Sequence, residues 1–150
     1  VHDVKDIPDG ATIAIPNDPT NGGRGLLLLQ RAGLLKLKDG VGMKATPKDV
    51  VDNPKHLKFK ELEAAQLPRS LADVDAAAIT MNYVMSGGLD VKKQNIFLEP
   101  KDEPLAVMII AARNKDKDKE AYKAFVKAYQ SEAVKKFIAD KYKGTIEPAF

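Results

Sequence analysis

Apolar positions fall in short clusters separated by polar turns, and the clusters differ in period. Residues 11–15 (ATIAI) follow the turn signal Asp9-Gly10 and are almost continuously apolar, as a buried strand is. Residues 16–21 are dense in Pro, Asn, Asp and Thr and read as a loop. A helix is expected over about 21–32, with leucines 26–29 on its buried side and Gly33 as its stop. Thr46-Pro47 supplies a cap and a first helical position for a short helix that Asn53-Pro54 would end. Residues 57–62 alternate in part, Leu57 and Phe59 against Lys58 and Lys60, as a half-exposed strand does. Leu67, Leu71 and Val74 recur at helical spacing and predict a helix over 65–74, with Pro68 tolerated in its first turn.

Residues 75–80 read as a strand of small side chains, and 82–86 as a helix closed by Gly87-Gly88. The apolar run 105–112 predicts another buried strand. Two final helices are expected over 118–129 and 131–142. Tyr122, Phe125, Val126 and Tyr129 share one face, and Val134, Phe137 and Ile138 the next. Core packing is the reading preferred for these rings over a cofactor box. Strands alternating with helices indicate an α/β architecture. No internal repeat or low-complexity segment interrupts it.

The 150 residues suit one domain or two small lobes, and 44% apolar content is enough for a real core. The runs 26–29 and 105–112 are far shorter than the ~20 residues of a membrane span. No secretory leader pattern opens the chain, which reads as a mature form or a fragment. The net charge of +3 arises from interspersed charges, except over 113–143, where ten Lys/Arg meet five Asp/Glu. Nucleic-acid binding calls for a basic face with interleaved aromatics; a solvated lysine face on an amphipathic helix accounts better for this stretch. The absence of cysteine excludes disulfide and thiol chemistry.

Catalysis is poorly supplied. His2 and His56 stand in a terminus and a lysine-rich loop, and no HExxH or Cys/His cluster is present, so neither metal nor cofactor is expected. Ser70, Ser86 and Ser131 lack a GxSxG elbow, and no pair of carboxylates is set apart from the lysines. The loop PNDPTNGGR (16–24) is different, because it leaves a buried strand and opens a helix. A helix start offers unpaired N–H groups and partial positive charge to an anion. Gly22 and Gly23 would admit a ligand close to the backbone, and Arg24 could grip a carboxylate through two parallel hydrogen bonds. Asn21 lies on the same helical face as Arg24. The competing reading makes Thr20 or Asn21 a cap and Arg24 half of a surface ion pair. The glycines do not follow nucleotide-loop spacings. Thr80-Met81-Asn82-Tyr83 is a second candidate, again where a strand meets a helix. There, too, Asn82 could be a cap and Tyr83 a packing residue.

Taken together, IPNDPTNGGRGLLLLQ, GLLKLKDGVG, VVDNPKHLKFKELEAAQLPRSL and AYQSEAVKKFI resemble the NlpA/MetQ family of methionine-binding lipoproteins. The similarity runs over nearly the whole chain, and PNDPTN..R followed by ELEAAQLPRSL is its most specific combination. The resemblance implies a type II periplasmic-binding-protein fold, α/β in class. Residues 1–104 would form the second lobe, and residues 105–150 a hinge strand and carboxy-terminal helices returning to the first lobe.

In function the resemblance implies a substrate-binding protein, not an enzyme, that captures methionine or a related amino acid. It would serve an ABC permease and ATPase, in the periplasm or cell envelope, lipid-anchored in the full-length protein. Asn21, Arg24, Asn82, Thr20 and Thr80 would contact the ligand, with Arg24 on its carboxylate. The family's opening segment, which carries the anchor cysteine, most of the first lobe and aromatics around the methionine side chain, has no counterpart here. The family usually has Asn where this chain has Thr80, and another near Met108. A polar contact to a charged group is worth ~1.5–3 kcal/mol, so these replacements leave room for a different amino acid or a short peptide as ligand. The same residues also admit a small α/β enzyme or an interaction domain that binds no ligand. Without first-lobe partners, Tyr122, Phe125, Tyr129 and Phe137 would be bare and would favour self-association or a companion segment.

Overall fold

A computed structural model describes residues 2–100 and 107–150. The chain divides into two compact units, one ending at Glu99 and the other beginning at Pro100.

The first unit is built around β1 (Thr12–Pro16), whose Ile13, Ala14 and Ile15 are wholly buried. It is the centre of a three-stranded parallel sheet, ordered β4 (Lys58–Leu62), β1, β5 (Ala76–Ala77). Thr12 pairs with Lys58 and Pro16 with Leu62 on one side; Ala14 pairs with Ala77 on the other. Two paired edges and two covered faces explain why β1 is continuously apolar while β4, at the sheet's edge, keeps its lysines in solvent.

Helix α1 (Pro19–Arg31) returns over this sheet. It begins two residues earlier than expected, because Asp18 is its cap and Pro19 takes the first helical position, where the missing N–H costs nothing. Gly33 stops it in the left-handed conformation, φ 75°. Leu26 and Leu29 join Ile7, Ile13, Ile15, Leu34, Leu35, Leu37 and Leu57 in one core. Each such side chain contributes ~1.5–3 kcal/mol on burial.

Several expected elements are shorter than their sequence pattern. After Thr46, residues Pro47–Asp49 make only a 3-10 turn, closed by a capping box between Thr46 and Asp49. Its neighbour is not the Asn53-Pro54 break but β3 (Val50–Asp52), which pairs antiparallel with β2 (Lys36–Leu37). The helix expected over 65–74 shrinks to a 3-10 turn, Ala64–Gln66, and one helical turn, α2 (Leu67–Ser70). Ser70 Oγ bonds back to the Leu67 carbonyl at 2.8 Å, and Asp75 exchanges hydrogen bonds with Thr12 through its backbone N–H and its carboxylate. Residues 71–74 turn instead of continuing the helix, and so bring Asp75 beside Thr12 at the start of β5. Helix α3 (Met81–Ser86) ends at Gly87, where a Cβ would stand 2.5 Å from Pro68 Cβ. A short α4 (Val91–Gln94), capped by Asp90, was not anticipated.

In the second unit α5 (Glu120–Tyr129) and α6 (Glu132–Tyr142) match the two final helices to within about two residues, and Ser131 caps α6. The strand expected over 105–112 is not formed in its described part: residues 107–112 have no regular structure, and Met108 is 92% exposed. Residues 105 and 106 lie outside the described residues. No described strand pairs with the run, and an unpaired strand leaves its N–H and C=O groups without partners. Tyr122, Phe125, Tyr129 and Phe137 are likewise exposed, so they do not form a core within this chain.

Candidate functional site

Parallel pairing of β1 with β5 sends the turns that follow both strands off the same edge of the sheet. The chain leaves β1 at Pro16 and enters α1 at Pro19; it leaves β5 at Ala77 and enters α3 at Met81. Since β4 lies on the far side of β1, the connection from β4 through α2 to β5 crosses β1. The β1–β5 boundary is therefore where the strand order reverses, and ligands of open α/β sheets collect outside the carboxyl ends of strands at such a point. Thr20, Asn21 and Arg24 belong to α1, and Thr80 and Asn82 to the start of α3. The topology thus brings all five to one end of one sheet.

The local bonding differs from the expectation in three ways. The amino terminus of α1 already holds a carboxylate. Asp18 accepts the Asn21 backbone N–H at 2.9 Å and the Asn21 carboxamide at 3.1 Å through both its oxygens. The Asn21 N–H, and after it the Asn21 side chain, hold the Asp18 carboxyl below its ordinary pKa against the opposing effect of burial. Neither Thr20 nor Asn21 is the cap, and Asn21 supports the Asp18 carboxylate from the third helical position.

Gly22 and Gly23 do not leave room for a ligand. A Cβ on Gly22 would stand 2.7 Å from the Pro16 carbonyl oxygen, and one on Gly23 2.1 Å from that of Met43. The protein's own backbone fills the space that bare glycine provides.

Arg24 is engaged by Glu99. Its Nε donates to Glu99 Oε1 at 2.8 Å and its Nη2 to Glu99 Oε2, the bidentate geometry expected of a ligand carboxylate. The two side chains are 26% and 21% exposed, so the pair is partly buried and not merely a surface contact. Thr80 caps α3 through its backbone carbonyl, which accepts from Val84 at 3.1 Å, and its hydroxyl makes no capping bond. Asn82 and Thr20 are exposed. Asp18 had a sequence signal in the Asp-Pro step at a helix start. Glu99 had none, being 75 residues from Arg24.

Other chemistry is thin among the described residues, where no group of three His, Asp or Glu could hold a metal ion. Ser70 and Ser86 bond to carbonyls of their own turns, and Ser131 accepts the Val134 N–H. A groove of about 600 Å³ lies in the second unit, lined by Ile110, Tyr122, Phe125 and Val126 among others. It contains none of the five candidate residues and consists of the bare run beside α5.

The sheet is parallel, with polar residues at the helix starts beside its switch point, and the fold is that of the type II periplasmic substrate-binding proteins. The NlpA lipoprotein family model matches residues 1–150, and the chain belongs to that family. It is 52% identical over 136 residues to the D-methionine-binding lipoprotein MetQ of Escherichia coli K12, covering 89% of this chain and 50% of that protein. It is 49% identical over 134 residues to the probable D-methionine-binding lipoprotein MetQ of Pasteurella multocida, covering 89% of this chain and 48% of that protein. A nutrient-binding protein from Burkholderia cenocepacia, solved bound to methionine, matches with a TM-score of 0.88 and 46% identity over 100% of this chain and 63% of that one. The chain spans about half the length of the curated relatives it matches.

Proposed function

We propose that this chain carries one side of the ligand site of an ABC-importer substrate-binding protein that captures methionine or a related amino acid. In this reading Arg24 receives the ligand carboxylate, with Asn21, Thr20, Thr80 and Asn82 around it. Residues 1–104 form the second lobe, and 105–150 return to the first. The protein delivers its ligand to a permease and ATPase, works lipid-anchored in the cell envelope, and performs no chemistry on the ligand. The observation that carries the reading is Arg24 on the helix that follows the central strand, in a chain that matches a methionine-bound structure at a TM-score of 0.88. The exposed rings of α5 and α6 support self-association of the chain when nothing else covers them.

Calorimetric titration of the full-length protein with L-methionine tests the assignment. A bidentate charge-assisted pair loses ~3 kcal/mol or more when truncated, so Arg24→Ala should weaken binding at least ~100-fold. The circular dichroism spectrum should stay unchanged. Equal affinity in parent and variant would remove Arg24 from the site. Thr80 and the exposed Met108 favour one further arm, a panel of other amino acids and methionine-containing dipeptides.

A further inference from the structure

We propose that Asn21-Gly22 is a spontaneous modification site, at which Asn21 converts to aspartate or isoaspartate when the first turn of α1 opens, and that Asp18 is the residue that keeps it closed.

Asparagine followed by glycine is the step at which a polypeptide loses a side-chain amide most readily, because glycine puts no Cβ in the way of ring closure. The Gly22 backbone nitrogen gives its proton to solvent and attacks Cγ of the Asn21 carboxamide. The new N–C bond closes a five-membered imide. The amide nitrogen departs, takes up a proton from solvent and leaves as ammonia. Water then opens the ring at either carbonyl, giving aspartate or isoaspartate. The net change is one water consumed and one ammonia released, with no oxidant or reductant involved.

In the closed helix one residue holds both reacting groups. The Gly22 N–H, whose nitrogen is the nucleophile, donates to the Asp18 carbonyl oxygen at 2.8 Å. The Asn21 carboxamide nitrogen, the leaving group, donates to both Asp18 carboxylate oxygens at 3.1 Å. The Asn21 backbone N–H donates to the same carboxylate at 2.9 Å. Gly22 is also buried, with the Pro16 carbonyl oxygen closing the space beside its Cα. Ring closure requires the Asn21–Gly22 peptide to rotate out of the helical conformation, which costs the Gly22–Asp18 bond. Helix ends open more readily than whole domains, so the cap on this one turn controls the rate. Conversion is also hard to undo structurally. The new carboxylate stands where a carboxamide donated to Asp18, and like charges sharing a site oppose each other. Isoaspartate further adds a methylene to the helix backbone. The inference does not depend on what the site binds.

The test incubates the whole chain in mildly alkaline buffer and follows its tryptic peptide 6–24 by mass spectrometry. Fragmentation distinguishes Asn21 from Asn17, and chromatography separates isoaspartate from aspartate. A synthetic peptide of residues 16–24 supplies the rate of open chain. Asn21 in the whole chain should convert at least ~10-fold more slowly than in that peptide. Asp18→Ala should speed conversion in the folded chain by ~2–30-fold, the change in open population that loss of a helix cap brings. Ser131→Ala removes the corresponding cap of α6, in the second unit, and should leave the Asn21 rate unchanged. A parent chain that converts as fast as the peptide overturns the proposal, and that result needs no variant to fold. An Asp18→Ala rate less than ~2-fold above the parent's overturns it too. So does equal acceleration by Ser131→Ala, which would assign the reaction to globally unfolded chain instead of an opened first turn.

Discussion

Replacing Gly23 with alanine should destabilise the protein, although the same change in an exposed helix would stabilise it. Gly23 lies inside α1, where alanine ordinarily gains ~0.8–1 kcal/mol over glycine. Here a Cβ would sit 2.1 Å from the Met43 carbonyl oxygen, 2.6 Å from its carbon and 3.2 Å from the Ala45 nitrogen. All three are backbone atoms, so no side chain can rotate away. The 3-10 turn Gly42–Lys44 has to retreat by more than 1 Å to reach a normal ~3.4 Å contact. Ala45, buried beside that turn in the core, has to retreat with it. Overpacking of this kind costs ~1–3 kcal/mol, enough to cancel the helix-propensity gain and leave a net loss of up to ~2 kcal/mol. For a chain of this size that is a fall in Tm of up to ~4–8 °C. Gly25→Ala is the internal control, because its Cβ would meet Ala78 Cβ at 3.3 Å, a contact that a small shift relieves. Urea denaturation followed by circular dichroism should rank Gly23→Ala clearly below Gly25→Ala in midpoint. A Gly23→Ala protein as stable as the parent would refute the close approach of α1 to the Met43 turn.

Two further outcomes follow from the same structure. Asp18→Ala should cost ~0.5–2 kcal/mol at neutral pH through loss of the cap. The folded-state pKa of Asp18 lies below its ordinary value, so its contribution is complete above ~pH 4 and is lost as pH falls through that depressed value; the gap between variant and parent in denaturation midpoint should close in acid. The bare rings of α5 predict concentration-dependent association of the chain, read by sedimentation velocity. Phe125→Ser, at a side chain 56% exposed, should reduce the association without lowering the unfolding midpoint by more than ~0.5 kcal/mol equivalent.

Sequence and tertiary structure contributed in different ways. Local patterns identified β1, α1, the edge strand β4 and the two final helices, because burial on two faces, one stripe or alternate positions leaves its own period in the chain. The motif from Pro16 to Arg24, with its strand-to-helix step, located one candidate site, and the small-residue strand before Thr80 located the other. What the sequence could not reveal depended on residues distant along the chain. The helix expected over 65–74 stops at Ser70, and a turn brings Asp75 to Thr12, 63 positions away. The apolar run ending at Ala112 looks like a strand in isolation, but a strand exists only beside another, and none of the described strands pairs with it. Gly22 and Gly23 suggested space for a ligand; only the fold shows that the carbonyls of Pro16 and Met43 occupy it. Arg24 was recognisable as a cation at a helix start, yet its partner Glu99 lies 75 residues further along the chain. Period and capping are local properties that a sequence encodes directly, whereas the partner of a charge or of a strand edge is settled by which distant segments the folded chain brings into contact.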